Sequence, residues 1–133
     1  MRVTVPTTLI NGDYCPDLPE SIGWSNPEYS ADYTTVTVTL PDTPEVEQWA
    51  VEQGYHVPDQ VDPGHLLVAL LHFDEQLFDA IEAAIESDKQ VRAAMRSSFV
   101  SRHSLVLAGF CQQFGITPEQ KDELFRQAYL LKL

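Results

Sequence analysis

The sequence predicts an α+β fold, mainly helical, with a small β element at the N-terminus and about five helices. Two patterns predict it. Residues 33–40 alternate apolar and polar side chains with the period of a strand, whereas from residue 43 onward apolar residues recur at helical spacing behind capping residues. The chain is 133 residues long with 44% apolar residues, enough for one domain spanning 1–133 with a core of its own and no metal or disulfide staple. Within it, residues 1–42 form an extended, loop-rich β segment and residues 43–133 the helical part.

In the first segment, Val3 and Val5 alternate with Arg2 and Thr4, which reads as a short strand ended by Pro6. Met1 therefore begins a strand and not a charged-then-apolar leader. A turn-forming run follows from Asn11-Gly12-Asp13 through Pro16, Pro19, Gly23 and Pro27. It is long for a structureless loop and carries Tyr14, Trp24, Tyr29 and Tyr33, so it is expected to be functional or ordered against a neighbour. Val36, Val38 and Leu40 then line one face of the clearest strand, with Thr35, Thr37 and Thr39 on the other. Two strands make a marginal sheet and must lean on helices or on another chain.

The helical part opens with Thr43 as N-cap and Pro44 at the first helical position, and its first helix ends at Gly54. Asp62-Pro63 opens a second helix, in which Leu66, Leu67, Leu70, Leu71 and Phe73 make an apolar, central element. Asp74 recaps a helix bearing Leu77, Phe78, Ile81 and Ile85. Ser87-Asp88 restarts the chain into Val91, Met95 and Phe99. A break near Ser101–Ser104 precedes an apolar helix that Gly115 ends. Thr117, Pro118 and Gln120 spell a capping box for the last helix, striped by Leu124, Phe125, Ala128 and Leu131.

Charge narrows the function. The chain carries 20 Asp and Glu against 8 Lys and Arg, for a net −12. Residues 1–66 hold 11 acidic groups and Arg2 as their one base, whereas residues 67–133 hold 9 acidic and 7 basic groups. Phosphate binding needs clustered Lys and Arg, so direct contact with nucleic acid or an anionic membrane is not expected. The most apolar run, Leu66 to Phe73, is too short to span a bilayer. Cys15 and Cys111 lie in unlike contexts and read as free thiols of a reducing compartment, the cytoplasm.

Candidate chemistry is sparse. His65 and His72 lie seven residues apart near Asp74 and Glu75, but no HExxH pair or zinc-ligand spacing is present, so no metal is expected. Ser101-Arg102-His103-Ser104 lacks a nucleophile elbow and reads as a helix break. No glycine-rich phosphate cradle appears, and carboxylates are too abundant for any pair to point to acid–base work. An enzyme and a cofactor are therefore not expected.

Three features suit a protein partner. The first is the aromatic N-terminal run with Trp24, Tyr29 and Tyr33. The second is Glu75, Asp79, Glu82 and Glu86, which share one helix face at i, i+4, i+7 and i+11. Solvation explains such a face, and docking of basic groups is the sharper reading. The nearest basic groups are Lys89, Arg92 and Arg96 on the next helix, and if the two helices pack antiparallel the stripes could meet near the connecting turn. The third is Tyr129-Leu130-Leu131-Lys132-Leu133, apolar on most sides. It either folds into the core or docks onto another subunit, which includes the chance of a homo-oligomer, with Tyr129, Leu130 and Leu133 as its contacts.

The segment from Val91-Arg92 through Phe99-Val100-Ser101-Arg102, then Leu105-Val106 through Phe114-Gly115-Ile116-Thr117-Pro118-Glu119-Gln120 and Asp122-Glu123-Leu124-Phe125, resembles the C-terminal part of short proteins encoded in tailed-phage virion and tail gene clusters. The resemblance covers the last third of the chain. It implies a phage particle or its assembly as context and carries over no catalytic residue. A phage structural or assembly protein that binds virion subunits is therefore the leading expectation, located in the host cytoplasm or built into the virion. The second is an acidic inhibitor that stands in for nucleic acid on a basic host defence protein.

Overall fold

The computed structural model describes residues 1–131. Leu133, one of the expected partner contacts, lies outside the described residues. The chain divides into two compact units, Met1–His56 and Val57–Leu133. The division falls after the first helix and not at residue 42, so that helix belongs with the sheet.

The first unit is a four-stranded antiparallel sheet and one helix. Strands β1 (Arg2–Ile10), β2 (Asp13–Pro16), β3 (Ser25–Tyr29) and β4 (Thr35–Thr39) are ordered β2-β1-β4-β3, followed by helix α1 (Pro44–Glu52). Pro6 does not end β1, as the sequence suggested. It sits where the strand changes partner: Arg2 to Pro6 pair with β4, and Thr7 to Ile10 pair with β2. A proline lacks an N–H, so a position between two ladders costs little. The expected loop also contains two strands. Asn11 (φ 52°) and Gly12 (φ 84°) close a two-residue turn between Ile10 and Asp13, the geometry of a tight hairpin whose strands follow the sheet's twist. β3 follows, with a register shift between Ser25 and Glu28 around Pro27. The two edges thus carry Pro16 and Pro27, which blunt them against further strand pairing.

The alternation in β4 is as expected: Val36, Val38 and Leu40 are buried with Val3, Val5 and Ile22. Val46 and Trp49 of α1, with Met1, Leu18 and Tyr55, pack against this cluster. Each buried valine or leucine contributes on the order of 1.5–3 kcal/mol relative to exposure. On the opposite face Thr4 and Thr37 share a hydrogen bond of 2.8 Å, and Arg2 pairs with Glu28 at 3.5 Å.

The second unit holds α2 (Pro63–Phe73), α3 (Glu75–Ser87), α4 (Lys89–Arg96), α5 (Leu105–Phe114) and α6 (Pro118–Leu130). A two-residue ladder joins β5 (Gln60–Val61) to β6 (Val100–Ser101). The six helices of the described residues start at Thr43, Asp62, Asp74, Asp88, Ser104 and Thr117, each capping through its side chain. Leu66 and Leu70 of α2, Ile81 of α3, Val91 of α4, Phe110 and Cys111 of α5, and Leu124, Phe125, Ala128 and Tyr129 of α6 are buried. Phe125 is wholly enclosed. The apolar helix read as the central element, α2, buries Leu66, Ala69 and Leu70 and leaves Val68 and Phe73 exposed.

The short β5–β6 ladder exists because Arg102 anchors it. Its N–H donates to the Asp59 carbonyl at 2.7 Å, and its guanidinium lies 3.4 Å from Asp59 and 3.3 Å from Asp122. Lys121 Nζ donates to the Arg102 carbonyl at 3.1 Å. Ser101–Ser104 is thus a helix break, as the sequence suggested, with a structural arginine in it. Burial pushes the Cys111 thiol up, and the nearby positive charge of Lys121 pulls it partly back. No helix among the described residues is long and apolar enough to cross a membrane.

Candidate partner-binding surface

The core of the sheet unit covers only part of one sheet face. Val5 pairs with Val36, and Tyr29 also pairs with Val36, so these three share a face. Alternation along β1 returns Leu9 to that face, and Leu9 pairs with Tyr14. Val5 and Val36 are buried, but Leu9 (61%), Tyr14 (46%) and Tyr29 (37%) are exposed. The core-side face therefore continues past its core into an apolar ledge.

Tyr33 completes the ledge. Its ring stacks on Tyr14 at 5.4 Å between centroids and lies 5.7 Å from Tyr29. The Tyr29 hydroxyl donates to the Tyr14 carbonyl at 2.9 Å. The three rings thus stand as one half-wet array held by mutual contact and a hydrogen bond, and contacts made before binding lower the entropy lost on it. Tyr33 holds φ 59°, a left-handed backbone rarely adopted by a bulky residue. Three hydrogen bonds brace it. Tyr33 N donates to the Ser30 carbonyl at 3.0 Å, and Thr7 Oγ1 donates to the Tyr33 carbonyl at 2.5 Å. Ser30 Oγ donates to Asp32 at 2.8 Å within the same loop. Such a backbone persists where its surroundings over-determine it, a pattern concentrated at working sites.

Of the three expected N-terminal contacts, Tyr29 and Tyr33 come together and Trp24 does not join them. Trp24 is exposed but precedes β3, whereas Tyr29 ends it, a strand length of roughly 16 Å away. Leu9 and Ile10 were not singled out from the sequence, and Tyr14 was noted in the aromatic run but not as a contact. The Asn11-Gly12 hairpin signal was there to find them, because it places Leu9 opposite Tyr14.

In the helical unit, Glu75, Asp79, Glu82 and Glu86 are all exposed on α3, and none of them forms an ion pair among the described residues. The basic stripe comes to the turn through Arg92, but not to the carboxylates. Arg92 instead donates through Nε to the Ile85 carbonyl at 2.9 Å, and through its terminal nitrogen to the Glu86 carbonyl. The last carbonyls of a helix have no partners of their own, so a guanidinium there satisfies them and complements the helix dipole.

The C-terminal expectation is corrected at Tyr129, which is 6% exposed and belongs to the core with Phe125 and Ala128. Leu130 and Leu131 are half-buried. The α6 stripe folds inward: Leu124 and Phe125 line one apolar cavity with Leu66 and Leu70 of α2, and Ala128 is buried beside them in the stripe. His65 and His72 are not gathered with other ligands, and no group of three metal-ligating side chains forms among the described residues. No protein-family model, curated protein or solved structure matches the chain.

Proposed function

We propose that this chain is a non-catalytic binding protein of a phage particle or its assembly, which docks on a protein subunit through the tyrosine ledge. The observation that carries the reading is the exposed array of Tyr14, Tyr29 and Tyr33, continued by Leu9 and built on a braced, left-handed Tyr33. Ordered tyrosines of this kind supply contact area at low entropic cost and are the residues most often found at the energetic centre of interfaces. The phage context rests on the resemblance of the last third of the chain. The test is co-purification with virions from infected cells. The chain is expected in purified particles and to resist moderate salt, and Tyr14→Ala with Tyr33→Ala should release it while leaving its melting profile close to wild type. Absence from particles and from assembly intermediates overturns the reading.

A second reading has its own support. Among the described residues the α3 carboxylates form no ion pair, which leaves them free to stand in for a phosphate backbone. On that reading the partner is a basic nucleic-acid-binding protein, and binding collapses by about 0.3 M salt.

A further inference from the structure

Between α3 and α5 lies an open groove of about 520 Å³. Its floor on α3 is Ala80, Ala83, Ala84 and Ser87, at i, i+3, i+4 and i+7, and on α5 it is Gly109. Small residues on both helices leave a trough in which another backbone can approach closely. Its lining is mixed: Ser87, Asp88, Gln90 and Gln113 are polar, while the apolar Leu105 is 88% exposed and Phe114 38%.

The charge beside the groove says what fits it. The turns of α3 that present Ala80, Ala83 and Ala84 present Asp79, Glu82 and Glu86 about a third of a turn round the helix. One wall of the groove is therefore edged along its length by carboxylates that form no ion pair among the described residues. Of the groove's lining, the one charged side chain is Asp88, again acidic. Lys89, at the start of α4, is the basic side chain next to it in sequence.

We propose that this groove receives a basic amphipathic helix of a partner protein. Its small and aliphatic side chains would settle between Ala83 and Gly109 and against Leu105 and Phe114, and its Lys or Arg residues would meet Asp79, Glu82 and Glu86. This is helix-in-groove recognition, in which apolar anchors give affinity and flanking charge selects the partner. A second copy of this chain is a poor occupant, since a net charge of −12 opposes self-association. The inference is independent of the tyrosine ledge, which lies in the other unit.

The test uses the full chain and three labelled peptides of about four turns, followed by fluorescence anisotropy. One carries Leu and Ala on one face and Lys on its flanks, one has each Lys replaced by Gln, and one is a scramble of the first. The basic amphipathic peptide should bind, and the Gln peptide and the scramble should bind at least tenfold more weakly. Gly109→Leu should abolish binding by filling the trough. A Cβ at Gly109 meets nothing within 4 Å, and leucine favours a helix more than glycine does, so the variant keeps its fold, which a melt confirms. Glu82→Lys with Glu86→Lys should weaken binding tenfold or more and flatten its dependence on salt. Equal binding of the scramble or the Gln peptide, binding that survives Gly109→Leu, or no binding of the basic peptide overturns the proposal. So does a groove-dependent dimer in sedimentation, lost in Gly109→Leu.

Discussion

Asp32 sets the shape of the loop that holds Tyr33. Its carboxylate accepts from Ser30 Oγ at 2.8 Å, from Thr34 Oγ1 at 2.8 Å and from Thr34 N at 3.2 Å, and these bonds lower its pKa from 3.8 to about 2. A lowered folded-state pKa means that the charged form favours the fold. The contribution is complete above the ordinary value and is lost as pH falls through about 2. A carboxyl-carbon NMR titration should therefore place Asp32 near 2, with Ser30→Ala moving it up toward 3.8. A midpoint near 4 in the native chain would contradict the hydrogen-bonded turn. This turn was not legible in advance, because Ser30, Asp32 and Thr34 read as generic loop residues until Tyr33 adopts its left-handed backbone. The alternation of Val36 and Val38 was legible, since a period of two names the buried face without reference to anything distant.

Helices were the readable elements, because caps are local. Thr117 illustrates the point: Gln120 N donates to Thr117 Oγ1 at 3.2 Å, and Thr117 N donates to Gln120 Oε1 at 3.0 Å, the reciprocal pair that the sequence spells. Thr117→Ala should lower stability by about 1 kcal/mol in denaturant unfolding, and no change would mean that the box is not formed in solution. Strands were harder. β2 and β3 are four and five residues long, contain proline, and bury little, so no periodicity marks them. Their pairing depends on β1 and β4, whose positions in the sheet are set by contacts distant in sequence. The apolar C-terminus stayed open between core and docking for a related reason: a stripe of Leu124, Phe125, Ala128 and Tyr129 looks the same whether a helix meets its own core or another chain. Burial against the rest of the helical unit decides for the core.

For the molecule as a whole, charge is distributed by unit. Met1–His56 carries nine acidic side chains and Arg2 as its one base, so its folded form repels itself more than the helical unit does. Raising NaCl from about 10 mM to about 150 mM screens that repulsion and should raise Tm, whereas a Tm that falls would mean that favourable ion pairs dominate. The two proposed surfaces, one of tyrosines and one a groove edged with carboxylates, differ in the same way: the first resists salt and the second depends on it.

The most direct test of the account is the fate of the tyrosine ledge in infected cells. Tagged wild-type chain and the Tyr14→Ala, Tyr33→Ala variant are recovered at low salt and again at about 0.3 M NaCl. The account predicts that a particle subunit stays with the wild-type chain at both salts and is absent from the variant, while the two proteins melt alike. Retention by the variant, or loss from the wild-type chain at the higher salt, would contradict it.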